Sequence, residues 1–229
     1  MQIRRRLKAI ASLVEKGSKV IDVGCDHALL DIYLTLYNSN ECIASDINKN
    51  AYEIAKANIK KYNLTNKIKV MRSDGFKDIE MNSIYTAIIC GMGTSSILEI
   101  LTTPKLKMID TLIIQTNNDI YSIRKKVNKL GYYIEDEIII KERGIFYTII
   151  KFKKGKKLYT HKALQLGPVI SKKQTNDKKE YFEFWIQSNN DILKKIENKS
   201  EDIPVEINDE DIKMINIDFL YKMSEDELK

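Results

Sequence analysis

Lys19-Val20-Ile21-Asp22-Val23-Gly24-Cys25-Asp26-His27-Ala28 has the form of a buried strand that turns at a glycine toward a helix. The same unit recurs on both sides of it. Before it, Ile3, Leu7, Ile10 and Val14 form one apolar stripe, which predicts a helix over Gln2–Glu15 stopped by Gly17. After it, Leu29, Ile32, Tyr33 and Leu36 predict a second helix, and Glu41–Asp46 a second apolar strand. Asn48 can cap a third helix with Ala51, Ile54, Ala55, Ile59 and Tyr62 inward. Strands are expected at Lys67–Arg72, Ile84–Cys90 and Thr111–Gln115, with a helix near Ser95–Leu101. Asp119 caps a further helix that turns Ile120, Ile123, Val127 and Leu130 inward and ends at Gly131. Tyr132–Ile140 and Ile145–Phe152 then flank Arg143-Gly144 as a hairpin.

This alternation is the signature of an α/β fold: a mostly parallel, doubly wound sheet with helices on both faces and an antiparallel hairpin at one edge. It occupies residues 1–154. Beyond it the character changes. Phe182, Trp185, Ile192 and Ile196 make a heptad-like seam, Pro204 lies in a polar break, and Ile212, Ile215 and Phe219 mark a second stripe. Residues 155–229 are therefore expected to form a C-terminal helical hairpin, coiled-coil-like.

With 43% apolar and 31% charged residues the chain can bury a core, which excludes global disorder. No apolar run suggests a bilayer span, and no apolar segment follows the N-terminal arginines, so a cytosolic chain is expected. Cys25, Cys42 and Cys90 are scattered and only His27 and His161 accompany them, which argues against a disulfide framework and a metal site. Residues 1–20 carry six Lys/Arg against one Glu, and residues 151–180 carry ten Lys against two acids. Residues 201–229 invert this, with ten acids against three lysines. The basic stretches suit a phosphate-rich partner or simply solvate the surface.

Ligands of open α/β sheets bind at the carboxyl ends of the strands. The first strand ends in Gly24, but Asp26 and Leu29 stand where a diphosphate-binding G-x-G-x-x-G has glycines, and Asp26 would repel a diphosphate. There is no P-loop either. Asp46, 22 residues after Gly24, can accept from a ribose diol. Asp74 can accept from an exocyclic amine, with Gly75 turning beneath a flat base. One ribose acceptor, one base acceptor and no diphosphate cradle describe a nucleoside with a small polar side group, and S-adenosylmethionine fits. The fourth strand turns through Gly91-Met92-Gly93. The fifth ends Gln115-Thr116-Asn117, whose amides can read a base edge or merely shape a turn.

At these residues the chain resembles the TrmK family, bacterial tRNA methyltransferases that act on N1 of adenine 22. The likeness covers Ile3 to Lys154 well and the remainder more loosely. It rests on Arg6-Leu7-Lys8-Ala9-Ile10-Ala11, the Asp22-to-Ala28 motif, Asp46-Ile47-Asn48, Asp74-Gly75 and Gly91-Met92-Gly93. Later it includes Gly131-Tyr132-Tyr133, Glu137, Phe146-Tyr147-Thr148 and Leu166-Gly167-Pro168. Thr94, Thr116 and Asn50-Ala51 depart from the family's Gly-Met-Gly-Gly, Gln-Pro-Asn and Gly-Pro patterns. The Asn-Pro-Pro-Tyr-type loop of enzymes that methylate exocyclic amines is absent, in keeping with attack by a ring nitrogen.

The resemblance implies a Rossmann-like class I methyltransferase sheet with S-adenosylmethionine as cofactor and tRNA as partner, without metal or membrane. It implies cofactor contacts from Asp22, Gly24, Asp26, Asp46, Ile47, Asp74, Gly75, Gly91 and Met92. Asp26 would stabilise the cationic product or hold the methionine ammonium, and His27 would orient the base. Arg4, Arg5, Arg6 and Lys8 are expected to track tRNA phosphates, Gln115 and Asn117 to meet the base, and the chain to act as a monomer. A methyltransferase-fold RNA binder without catalysis, or an enzyme for another acceptor, are the competing readings.

Overall fold

The computed structural model describes residues 1–199, with side chains through Asn190. In chain order the elements are α1 (Arg5–Ser12), β1 (Lys19–Val23), α2 (Leu29–Asn38), β2 (Glu41–Asp46) and α3 (Lys49–Lys61). Next come β3 (Ile68–Arg72), β4 (Tyr85–Met92), α4 (Thr94–Ile100), β5 (Ile109–Thr116) and α5 (Ile120–Lys129). β6 (Tyr132–Glu142), β7 (Ile145–Lys154), α6 (His161–Leu166) and α7 (Asn176–Lys199) complete them. The strands form a seven-stranded sheet in the order β3-β2-β1-β4-β5-β7-β6. β1 to β5 are parallel, whereas β7 runs antiparallel to β5 and β6. The order reverses between β1 and β4, and that is where a doubly wound sheet opens a crevice.

Strand side chains alternate between two layers. Val20, Ile88 and Ile113 face a core built with Ile10, Ala28, Leu34, Ala55 and Ile59. Ile21, Ile89, Leu112 and Ile114 face Ile97, Leu101, Ile123, Val127 and Leu164. Asn48 caps α3 by accepting from the amides of Asn50 and Ala51, and Asp119 caps α5 by accepting from Ser122. In the two-residue hairpin turn Arg143 and Gly144 both take positive φ, 51° and 81°, the mirror-image turn that matches strand twist.

Three expectations about helices are corrected. α1 is shorter than Gln2–Glu15, because Arg4 supplies no side-chain cap and residues 1–4 lie outside the helix. Leu36, Tyr62 and Leu130 stay exposed, at 44%, 38% and 47%. Each sits in the last turn of its helix or just past it, beyond the reach of the sheet. α5 instead buries Arg124.

A compact unit runs from Met1 to Lys173. Its last segment is held to the sheet by an ionic knot. Glu137 of β6 is wholly buried and accepts from Arg124 Nε at 2.8 Å and from the amides of Val169 and Ile170 at 2.9 and 3.0 Å. Arg124 also donates to the carbonyls of Leu164 and Gln165. Gly167, at φ +91°, passes so close that a Cβ there would lie 2.6 Å from Arg124 and 2.9 Å from Glu137. That explains the Leu166-Gly167-Pro168 motif: only glycine lets the chain cross this pair.

Phe182 and Trp185 lie on α7, a single long helix. The side chains of Ile192 and Ile196, and all of the expected second arm with Pro204, Ile212, Ile215 and Phe219, lie outside the described residues, as does the acidic tail.

Candidate active site at the strand ends

β1 ends in a strained turn. Gly24 takes φ +81°, and Asp26 and Ala28 also adopt positive φ, 50° and 54°. Non-glycine residues there cost about 1–3 kcal/mol each and cluster at functional sites. Amides hold the turn: Gly24 and Cys25 both donate to the Ser45 carbonyl at the end of β2, at 2.8 and 3.0 Å. A Cβ on Gly24 would come within 2.2 Å of Met92 Cε, so the turn after β1 and the end of β4 touch.

Asp46 is central. Its carboxylate accepts from the amide of Asp26 at 3.1 Å and from that of Asn48 at 2.9 Å, which fixes its orientation at the mouth. Beside it, Ile47, Arg72, Ser73, Asp74, Lys77 and Asp78 line a cleft of about 290 Å3. Ile47 is 59% exposed there, an apolar side chain open to a flat ligand. Gly75 is needed for its positive φ and for contact with α4, where a Cβ would meet Ile100 at 3.3 Å. Asp26 and His27 are solvent-exposed, with Asp26 Oδ1 3.4 Å from His27 Nε2, and Asn58 donates to the His27 carbonyl.

Two expected ligands are buried instead. Asp22 is only 5% exposed, beneath the turn. Burial, then the neighbouring Asp31 carboxyl, pushes its pKa well above the usual carboxylate range. Asp31, on α2, is raised to about 7 by burial. Neither of its oxygens meets a hydrogen-bond donor, so a proton shared with Asp22 is the donor this pair needs. Gln115 is 1% exposed, and its amide is spent on the Thr116 carbonyl and Asn117 Oδ1. It braces the strand end from within. Asn117 remains exposed and donates to the Gly91 carbonyl at 2.9 Å.

The N-terminal cations are not a uniform phosphate stripe. Arg4 and Lys8 are exposed, but Arg5 donates to the Lys141 carbonyl and Arg6 lies over the Tyr147 ring. Several lysines past residue 150 are likewise engaged: Lys151 and Lys153 with Glu135 and Glu15, and Lys173 with Asp136. Two of the three departures from the family pattern meet, because Thr94 and Thr116 share a hydrogen bond of 2.9 Å beside the β4 and β5 ends. Tyr147 and Asp31 are site residues that sequence reasoning does not single out. Their signals are an aromatic within the familial Phe146-Tyr147-Thr148 run and a lone acid inside an apolar helix.

Burial pushes the thiols of Cys25, Cys42 and Cys90 upward, and nearby carboxylates add to it, so none is poised as a thiolate nucleophile. Among the described residues no group of three His, Cys, Asp or Glu could hold a metal ion, and no helix is long and apolar enough to cross a membrane.

A mostly parallel sheet reversing at β1/β4, an acid at the end of β2, an open, largely polar cleft beside it and a glycine turn without a diphosphate cradle define a class I S-adenosylmethionine-dependent methyltransferase. A Streptococcus agalactiae protein of the NADB-Rossmann superfamily superposes with a TM-score of 0.84 at 30% identity, covering 97% of both chains. Residues 20–217 match the model of the tRNA (adenine(22)-N(1))-methyltransferase family, TrmK, and the chain belongs to that family. It is 28% identical over 183 residues to the tRNA (adenine(22)-N(1))-methyltransferase of Bacillus subtilis, covering 76% of this chain and 77% of that one. It is also similar to M. capricolum TrmK solved with S-adenosylhomocysteine, at a TM-score of 0.81 and 27% identity over 97% of both chains.

Proposed function

We propose that this chain methylates N1 of adenosine 22 in tRNA, using S-adenosylmethionine. The observation that carries the reading is the family match across residues 20–217, supported by Asp46 at the end of β2, joined to the turn after β1, and by Asp74 in the cleft beside it. The cleft suits the cofactor's adenosyl end. Asp46 would accept from the ribose, Asp74 from the exocyclic amine, and Ile47 would cover the base. Gly24, Gly75, Gly91 and Met92 would shape the backbone and thioether walls, and Asp22 would act from beneath by holding the turn. When bound, S-adenosylmethionine supplies a methyl group on a sulfonium, whose electron pair returns to sulfur as the N–C bond forms.

Adenine N1 carries an in-plane lone pair and needs little activation, so alignment is the main task of the protein. N1 lies on the Watson–Crick edge, and the base has to leave its stack first. The product base is a cation. Asp26, exposed at the mouth and anchored by the hydrogen bond its backbone amide donates to Asp46, would stabilise that charge, and His27 beside it would orient the base. Every strand end named belongs to one sheet, so one chain suffices, acting in the cytosol where tRNA is found. The test offers labelled S-adenosylmethionine and bulk tRNA to the protein and digests the RNA for nucleoside mass spectrometry. 1-Methyladenosine mapped to position 22 is the expected product. Label in another nucleoside, or in none, overturns the reading.

A further inference from the structure

The β2 and β3 ends supply the groups suited to a nucleoside cofactor, which leaves the rim of β4, β5 and β7 to the acceptor. That rim is built around Arg6. Its guanidinium carbon lies 4.9 Å from the centroid of the Tyr147 ring. Its Nη1 donates to Gln115 Oε1 at 3.3 Å, and its backbone amide donates to Glu142 Oε1 at 3.2 Å. A Cβ on Gly91 would stand 4.0 Å from the same Nη1, so the guanidinium borders the carboxyl end of β4. Tyr147 is three residues beyond the last β5–β7 pairing, Ile114 with Ile150, on the carboxyl side of the sheet. Asn117 closes the rim through its bond to Gly91.

This is not how an arginine serves a phosphate. A phosphate-tracking head group is free to follow the backbone, whereas this one is laid against a ring and keyed by a buried amide. A guanidinium held over an aromatic ring can stack an unstacked base, a common mode of RNA recognition. We propose that Arg6, seated on Tyr147 and keyed by Gln115, is the platform on which the extruded adenine of the tRNA stacks. The inference rests on the function proposed above.

Arg6→Lys keeps the charge and loses the plane. Base stacking is worth ~1–3 kcal/mol, or roughly 5- to 150-fold. The expected result is a fall of that size in the single-turnover methylation rate at saturating tRNA and cofactor. The log–log salt slope of tRNA binding and the affinity for S-adenosylhomocysteine should stay at parental values. Tyr147→Leu, which preserves apolar volume, should show the same loss, and Tyr147→Phe should recover most of it by restoring a ring for Arg6. A parental single-turnover rate in Arg6→Lys, or an Arg6→Gln variant whose only change is a shallower salt slope, makes Arg6 a phosphate contact and overturns the platform. If the parent protein itself forms no 1-methyladenosine, the proposed function fails and takes the platform with it.

Discussion

Glu137→Gln changes one buried oxygen to an amide and should be among the most damaging single substitutions in this chain. The carboxylate satisfies Arg124 and two backbone amides at once, at 2.8, 2.9 and 3.0 Å. A glutamine has one acceptor oxygen, and its NH2 group points a donor at a donor on whichever side it faces. Arg124, 3% exposed at its side chain, is left without a counter-charge. Removing one member of a buried pair costs about 3–5 kcal/mol, a large share of a total stability of roughly 5–15 kcal/mol. With a denaturant slope near 2 kcal/mol per molar, the urea midpoint should fall by about 1.5–2.5 M. Because the knot holds residues 164–170 to the sheet, limited proteolysis should also cut first around Leu158–Ser171. The companion Glu137→Leu/Arg124→Leu removes both charges and should be less damaged than Glu137→Leu alone. A midpoint for Glu137→Gln indistinguishable from the parent would refute the idea that this ion pair ties the segment down.

Gly24→Ala forces a Cβ into φ +81°, 2.2 Å from the flexible tip of Met92. The fold should survive at a cost of about 1–2 kcal/mol, while calorimetry shows affinity for S-adenosylhomocysteine reduced at least about tenfold. The Asp31 carboxyl, raised to about 7, binds its proton more tightly folded than unfolded. Its stabilising contribution is therefore present below the unfolded pKa, near 4, and lost as pH rises through about 7. Parental urea midpoints should decline between about pH 5 and pH 8, and Asp31→Asn should flatten that decline and exceed the parent at the upper end. Ending the chain after Lys173 keeps every candidate ligand and the Glu137 knot. S-adenosylhomocysteine affinity should be unchanged, and tRNA binding should weaken, with a salt slope shallower by about 0.7–0.9 for each phosphate the shortened chain no longer neutralises.

Much of this architecture is local and therefore legible in sequence. β2 spans Glu41–Asp46 as its apolar run predicts, and Asn48 and Asp119 cap the helices they precede. The paired positive φ angles at Arg143 and Gly144 follow from the dipeptide between two β-rich runs. The strand-end acids are legible because a parallel sheet puts successive strand ends on one edge. What sequence hides is non-local. Nothing near Arg124 or Glu137 announces that two charges on surface-type positions will pair under a segment some 30 residues later in the chain. Asp22 and Gln115 have the residue types of ligands, but the depth at which a strand ends is set by the helices covering it. Arg6 belongs to a run of basic residues, and only the hairpin's position beside β5 separates it from Arg4.

The seat of α1 has a consequence for the order of assembly during synthesis. Arg5 and Arg6 contact Lys141 and Glu142, 136 residues further along the chain. At about 5–20 residues per second that interval is roughly 7–27 s. α1 thus waits for the last hairpin of the sheet, while β1, β2 and β3 and their acids are already translated. A nascent or prematurely ended chain would carry the strands that form the nucleoside cleft long before it carried the rim that faces the acceptor. The strand-end acids and the seat of Arg6 are thus separated in time as well as in sequence.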